Sequence, residues 1–140
     1  MDKWVIYAFI SMLFAGFTSV IAKIGLTGIS GEMGLSIRTL FVSVFVLIFA
    51  AMFVPVREVG LLKMQNWAWL GLSGATTTAS WIFYYKALKA GDVATVALID
   101  KGSVVVAMLL AFLLLREVIS LRMMAGAAMI VGGLLVIAKR

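Results

Sequence analysis

Asp100 and Lys101 stand side by side in TVALIDKGSVVVAMLLAFLLL, a stretch from Thr95 to Leu115 that is otherwise uncharged. A charged residue at the centre of a bilayer costs about 2.5–3.5 kcal/mol on insertion scales. Residues that bear this cost usually line a solute or proton path, or pair with another charge. The two residues therefore predict either a polar path through a membrane or a structural ion pair.

Two further cations, Lys23 and Arg38, lie in other apolar stretches of the chain. At the helical rise per residue, Asp100 and Lys101 lie roughly 10 and 12 Å below the membrane face where their segment starts. Arg38 and Lys23 lie roughly 8 and 5 Å from the same face. We expect the four groups to share a cavity, which could exchange protons through Asp100 or favour anions through its cations. Alternatively, Lys23 and Arg38 simply extend to the membrane surface.

Aromatic and hydroxyl side chains complete the candidate site. Trp81 and Tyr84 lie with Thr77 along one face of a third apolar stretch, and Ser103 shares a helical face with Asp100. A ring beside a charged cavity can hold an amphipathic or cationic solute, although packing or a position in the interfacial aromatic belt explains these rings equally well. The predicted lining is Lys23, Arg38, Trp81, Tyr84, Asp100, Lys101 and Ser103.

The composition indicates the environment in which this site must work. The chain has 140 residues, of which 64% are apolar and 13% charged. A soluble domain carries roughly 45–50% apolar and about 25% charged residues, so an integral membrane protein is predicted. The sequence lacks cysteine and histidine, so disulfides, thiolate chemistry and the commonest zinc ligand are excluded. The net charge of +6 arises mostly at the ends of apolar runs, which indicates membrane anchoring and no nucleic-acid partner.

Apolar runs of the length that crosses a bilayer, about 17–25 residues, define the predicted architecture. Pro55 blocks the second run, Gly91 stops the third, and Asp92 is a candidate N-cap for the fourth. Lys139 and Arg140 can extend the short fifth run by reaching the membrane surface. We expect an all-α membrane protein with one domain, residues 1–140, and five transmembrane helices at about 4–26, 33–54, 67–89, 93–115 and 121–138.

Lys and Arg residues in short loops normally set the orientation of a membrane protein. With the N-terminus taken as cytoplasmic and Lys101 left inside its segment, that side holds five such residues and the other side six. The five are Lys3, Arg57, Lys63, Arg116 and Arg122; the six are Lys23, Arg38, Lys86, Lys89, Lys139 and Arg140. With so little bias we expect dual topology and an antiparallel homodimer. The alternative is one orientation, determined by something other than these charges.

Four stretches of the sequence carry a family pattern: FAGFTSVIAKIGLTG, SIRTLF, WIFYYKALKAGDVATVALIDKGSVVVAMLLAFLLLRE and GAAMIVGGLLVI. Together they resemble the EamA domain of the drug/metabolite transporter superfamily, over nearly the whole chain. The block from helix three to helix five is the most specific part. In its length and in the run IDKGS the chain is most similar to the short five-helix branch, the bacterial/archaeal transporter family. Larger relatives often carry a proline where this chain has Lys101 or Gly102.

The resemblance implies a fold and a class of activity. Most relatives have ten helices in two inverted units, so one EamA-type unit implies half of such a transporter, completed by a second copy. The family moves solutes as varied as amino acids, nucleotide-linked metabolites and organic cations, by exchange or proton coupling. The sequence has no phosphate-binding glycine loop, which is consistent with a secondary carrier.

We therefore expect a multi-pass secondary active transporter in the inner membrane of a prokaryote. A small metabolite or organic solute would bind near the midplane between two protomers and reach each side by alternating access. One alternative is a non-transporting membrane subunit that assembles with and stabilises a partner membrane protein; another is a subunit of a lipid-linked sugar flippase. An enzyme is not expected, and neither a cofactor nor a metal ion is expected.

Overall fold

The computed structural model describes residues 2–138, and throughout this range the regular secondary structure is helical. Within residues 2–138, six α-helices follow one another: α1 (Lys3–Gly25), α2 (Gly31–Phe53), α3 (Met64–Ala90), α4 (Val93–Asp100), α5 (Ser103–Leu110) and α6 (Leu121–Ala138). A 3₁₀ turn (Val56–Leu61) separates α2 from α3, and a π-helical turn (Ala111–Leu115) follows α5.

Local side-chain chemistry explains where the helices begin and end. Ser30 caps α2, because its hydroxyl accepts a hydrogen bond from the Met33 amide at 3.1 Å. Asp92 caps α4 in the same way, with its carboxylate 2.9 Å from the Thr95 amide. This confirms Asp92 as the predicted N-cap. Helix α2 ends at Phe53, two residues before Pro55, as the sequence predicts.

The fourth predicted segment, residues 93–115, is not the continuous α-helix that was expected. Around Lys101 and Gly102 the backbone hydrogen bonds join residues that are closer in sequence. The Gly102 amide donates to the Ile99 carbonyl at 2.9 Å, and the Val105 amide donates to the Gly102 carbonyl at 3.0 Å. Both bonds span three residues instead of the four of an α-helix. The helical part ends at Arg116, which has a left-handed conformation with φ 55°. The charged pair therefore stands at an interruption of the helix.

In the described part of the chain, three helical stretches are long and apolar enough to cross a membrane: α1, α2 and Val93–Leu115. Helix α6 is apolar but shorter. Helix α3 is long enough, but its residues are less apolar than those of α1 and α2. The prediction of an all-α integral membrane protein is confirmed. The count of five spans and the single domain over residues 1–140 stay predictions, and Lys139 and Arg140 lie outside the described residues.

The described helices group into two compact units. The central unit is Val20–Ala90, and the terminal unit joins the chain up to Ser19 with the chain from Gly91 onward. In the terminal unit, α6 packs against α4 and α5. The backbone at Gly102 lies close to the Leu134 side chain of α6, since a Cβ at Gly102 would lie 2.9 Å from the Leu134 Cδ1 atom.

The buried side chains of the central unit lie where α2 meets α3. They are Leu26, Leu35, Tyr85 and Leu88. Gly31 allows the two backbones to approach, because a Cβ at this position would lie 2.9 Å from the Tyr85 carbonyl oxygen. Two glycines of α3, Gly71 and Gly74, have open space beside them, because a Cβ at either position would meet nothing within 4 Å among the described residues. The close approach within this unit uses a glycine on α2 instead.

Two lysines tie the end of α1 to the end of α3. The Lys23 ammonium donates to the Leu88 carbonyl at 2.5 Å and lies 3.4 Å from the Lys89 carbonyl. The Lys89 ammonium donates in turn to the Leu26 carbonyl at 2.9 Å. The last four carbonyls of a helix lack partners in their own helix, and a cation near them also interacts well with the helix dipole. Each helix therefore caps the end of the other.

Replacing Gly31 by alanine tests the close approach of α2 and α3. The new Cβ would press on backbone atoms of Tyr85, so Gly31→Ala should lower the free energy of unfolding by about 1–3 kcal/mol. Gly16→Ala, in α1, is the matched control; it adds a methyl group in open space on a helix and should be neutral or stabilise by roughly 0.5–1 kcal/mol. Thermal unfolding of the detergent-solubilised chain, followed by far-UV circular dichroism, measures both. Equal stability of the two variants would contradict the packing described.

Replacing Lys23 by methionine tests the exchange of lysines between α1 and α3. The variant keeps the apolar stem but leaves the half-buried Leu88 carbonyl without this donor, so Lys23→Met should lower stability by about 1–3 kcal/mol. Lys63→Met, an identical change at an exposed loop position, is the control and should have little effect. The same unfolding measurement applies, and a Lys23→Met variant as stable as Lys63→Met would rule out a structural contribution from this contact.

Candidate functional site

Arg38 lies against aromatic rings of the neighbouring helix in the central unit. Its guanidinium carbon is 4.3 Å from the centroid of the Trp81 ring and 5.9 Å from that of Tyr85. Both rings belong to α3, and they are four residues apart, so they occupy neighbouring positions on one helical face. A cation over an aromatic face gains about 0.5–2 kcal/mol, with the larger values where water is excluded. This contact holds the guanidinium at the α2–α3 seam.

The guanidinium of Arg38 keeps one nitrogen without a hydrogen bond. Nη1 is buried and has no hydrogen-bond partner within residues 2–138. Leaving a buried donor unsatisfied costs about 1–3 kcal/mol, and more for a charged group. An aromatic face attracts the charge but does not accept each N–H in the way an oxygen does. Arg38 therefore has unused capacity to bind an acceptor such as a carboxylate, phosphate or carbonyl oxygen.

Tyr84 extends the aromatic surface beside Arg38. Its ring centroid lies 6.2 Å from that of Tyr85, with the rings edge to face at 63°. Tyr85 is buried, whereas Trp81 and Tyr84 are half-buried. We call Arg38, Trp81, Tyr84 and Tyr85 the Arg38 cluster. Three of its members were predicted from the sequence; Tyr85 was not.

A groove of about 460 Å³ runs beside the Arg38 cluster, between α2 and α3. We call it the α2–α3 groove; its lining is Glu32, Leu35, Ser36, Thr39, Thr78, Trp81 and Ile82. Trp81 belongs to both the groove and the cluster. The volume falls in the range of about 300–1,000 Å³ that is typical of small-molecule pockets. The Glu32 carboxylate lies 3.5 Å from the Lys86 ammonium, and both side chains are exposed.

Apart from Trp81, the sequence prediction missed the residues that line this groove. Glu32 was overlooked because an acidic residue in the first turn of a helix is explained by its favourable interaction with the helix dipole, without any role in binding. The available signal was the spacing of Glu32, Ser36 and Thr39, which puts three polar side chains on one face of an otherwise apolar helix.

The remaining predicted site residues, Asp100, Lys101 and Ser103, lie in the terminal unit. The Lys101 ammonium is 4.0 Å from the Asp100 carboxylate, at the limit of an ion pair, and both side chains are partly exposed. On an ideal α-helix two adjacent side chains point about 100° apart, which does not favour such pairing. Pairing is possible here because α4 ends at Asp100, before the shorter bonds at Lys101 and Gly102. Ser103 begins α5 directly after this interruption.

The structure thus brings Arg38, Trp81 and Tyr84 together, and pairs Asp100 with Lys101. Lys23 lies in the central unit, where its ammonium contacts the carbonyl oxygens of Leu88 and Lys89. A shared cavity for all seven predicted residues stays a prediction. At Lys101 and Gly102 the backbone stays helical and both amides keep hydrogen bonds, so the change of pattern is a tight turn within the segment. Both places, the Arg38 cluster and the interruption at Lys101–Gly102, combine charge with apolar surroundings and suit reversible binding of a polar solute.

Comparisons with known proteins show what the chain as a whole is similar to. A relative from Sinorhizobium sp., named "Uncharacterized transporter in cobO 3'region", is 35% identical over 137 residues, which cover 98% of this chain and 97% of the relative. The search of solved structures finds no match. The pattern of a membrane transporter family, the EamA-like transporter family, matches residues 2–139. By this match over nearly its whole length, the chain belongs to the EamA-like transporter family.

Proposed function

We propose that the protein is a secondary active transporter that moves a small metabolite or organic solute by alternating access. The observation that supports this function best is the Arg38 guanidinium, held over Trp81 within an apolar membrane-length helix and left with an unsatisfied buried nitrogen. A purely structural arginine is expected to find acceptors for its donors within its own fold. A solute that supplies an acceptor in one state of the transport cycle would satisfy this donor transiently.

The remaining predicted residues receive roles that follow from their surroundings. Trp81 and Tyr84 form walls beside Arg38. Asp100 and Lys101, with Ser103, form a second polar element at the helix interruption, and the loose Asp100–Lys101 pair can open to admit a solute or proton. Lys23 supports the site from the ends of α1 and α3 and extends its polar lining.

Two copies in opposite orientations would form one working transporter. The near balance of basic residues on the two sides supports insertion both ways. The curated relative supports a transporter of this extent, because the match covers 97% of a protein that is named a transporter. Glycines such as Gly71 and Gly74 have open space beside them, where a second chain could approach closely. The solute site would lie near the membrane midplane between the two protomers, as in carriers with inverted repeats.

The membrane is proposed to be the inner membrane of a prokaryote. The apolar helices place the chain in a bilayer, and the relative comes from the bacterium Sinorhizobium. A closed β-barrel is the usual structure of bacterial outer-membrane proteins, whereas α-helical spans are typical of other membranes.

Transport can be tested before the solute is known. Liposomes containing the protein are loaded with a deproteinised bacterial metabolite extract, a pH gradient is imposed, and mass spectrometry measures which compounds leave faster than from protein-free liposomes. We expect one or a few compounds to leave faster. Arg38→Gln should slow their exit by about tenfold or more, because a charge-assisted hydrogen bond is lost.

Arg57→Gln is the matched control, since it makes the same change in the 3₁₀ turn outside α2 and α3, and it should keep the wild-type rate. Far-UV circular dichroism shows whether both variants are folded. If no compound leaves faster with folded wild-type protein, a non-transporting membrane subunit, or a subunit of a lipid-linked sugar flippase, becomes the better account. Equal rates for Arg38→Gln and Arg57→Gln would remove Arg38 from the transport path.

A further inference from the structure

The hydroxyl groups that line the α2–α3 groove all donate hydrogen bonds to backbone carbonyls of their own helices. Ser36 donates to the Glu32 carbonyl at 2.9 Å, Thr39 to the Leu35 carbonyl at 2.8 Å, and Thr78 to the Gly74 carbonyl at 2.9 Å. A hydroxyl has one hydrogen to donate and two lone pairs that accept. With the hydrogens directed at the backbone of their own helices, these three side chains offer only lone pairs to a molecule in the groove.

The charged group of the groove lining is also an acceptor. Glu32 is the only ionisable residue that lines the described groove, and its ionised carboxylate has no hydrogen to donate. Its partner Lys86 lies 3.5 Å away, with both side chains more than half exposed. An exposed pair of this kind contributes little, about 0–1 kcal/mol at most sites. The Lys86 ammonium is therefore a cation that another ammonium can replace.

The apolar part of the groove faces the same space. Leu35, Ile82 and Trp81 supply it, and the Arg38 guanidinium lies 4.3 Å from the Trp81 ring centroid. A ring that already binds one cation attracts a second one less, because the two cations repel each other. An ammonium group should therefore bind at the Glu32 end, while its carbon chain or ring packs against Trp81.

We propose that the α2–α3 groove binds the protonated amino group of an amphipathic primary amine, with Glu32, Ser36, Thr39 and Thr78 accepting its N–H donors. This inference rests on the proposed function, because it names the group at one end of the solute that the transporter carries. The acceptor for Arg38 would belong to another part of the same molecule. An anion in the same place would meet a carboxylate and three lone-pair acceptors. The groove thus selects for positive charge and for N–H donors together. In the absence of solute, the Lys86 ammonium pairs with the Glu32 carboxylate.

Binding of three related probes to the detergent-solubilised full chain tests the chemistry of the groove. The probes are 2-phenylethylammonium, its trimethylated quaternary analogue and 3-phenylpropionate, and isothermal titration calorimetry measures each dissociation constant. We expect the primary amine to bind and the quaternary analogue to bind about tenfold more weakly, because it has no N–H to donate. The carboxylate should show no binding at this site. Equal binding of all three probes, or preferred binding of the carboxylate, would overturn the proposal.

Variants at the carboxylate and at its partner sharpen the test. Glu32→Gln should weaken binding of the primary amine by about tenfold or more, since the charge is lost. Glu58→Gln, the same change in the 3₁₀ turn, is the control and should leave binding unchanged. Lys86→Met should strengthen binding, because the amine no longer has to displace the Lys86 ammonium from the Glu32 carboxylate. Lys86→Met distinguishes the two accounts, because a structural role for the ion pair predicts that this variant binds the amine more weakly, or not at all, as Glu32→Gln does.

The binding measurement separates this inference from the proposed function, because it requires no transport. If the amine binds as expected but no compound leaves the loaded liposomes, the groove assignment stands and the transporter proposal fails. If compounds leave the liposomes but the amine does not bind, or only carboxylates are carried, the groove assignment fails while the transporter proposal stands.

Discussion

The need to hold a guanidinium inside an apolar helix explains much of how α2 and α3 pack. Arg38 lies within a stretch whose composition suits a bilayer, so its charge requires stabilisation by neighbouring groups. Trp81 and Tyr85 supply this from α3, but only if the two helices come close together. Gly31 allows that approach at the Tyr85 carbonyl, and the lysines at the ends of α1 and α3 hold the same region together. Features that look unrelated in the sequence thus serve one requirement.

The same packing produces the α2–α3 groove. Trp81 contacts Arg38 and also lines the groove, so the position of the cation and the shape of the groove are linked through one side chain. A change in where the Arg38 guanidinium binds would move the wall against which a solute packs. A carrier needs this kind of link, because solute binding must favour one conformation over another to drive alternating access. The loose pair at the α4–α5 interruption is a second place with weak, replaceable contacts.

Sequence reasoning was most accurate where the responsible chemistry is local. Asp92 and Pro55 mark helix ends through their own side chains, so both could be read directly from the sequence. Arg38 and Trp81 could be identified because they are unusual within apolar runs. That they touch could not be predicted, because contact depends on how α2 and α3 rotate about their axes. The carbonyl partners of Lys23 depend likewise on where two helix ends meet.

Other features gave weak or misleading signals. Glu32 stands where helices commonly carry an acidic residue, and hydroxyl residues such as Thr39 are ordinary in membrane helices. The interruption at Lys101–Gly102 could not be predicted from a proline, because none lies nearby, and glycine is frequent in membrane helices. The glycines Gly71 and Gly74 on α3 are of the type that packs closely against another helix, but within the described residues the space beside them is open. Small residues mark a face that another helix can approach closely, but they do not identify that helix.

The orientation of the chain in the membrane tests the central claim that two oppositely oriented copies form one transporter. Two C-terminal fusions are compared in bacterial cells, one with a reporter active only in the cytoplasm and one with a reporter active only outside it. The account predicts strong activity from both fusions, because the basic residues are nearly balanced between the two sides. Activity from one reporter alone would contradict it, since all copies would then share one orientation and the antiparallel pair could not form.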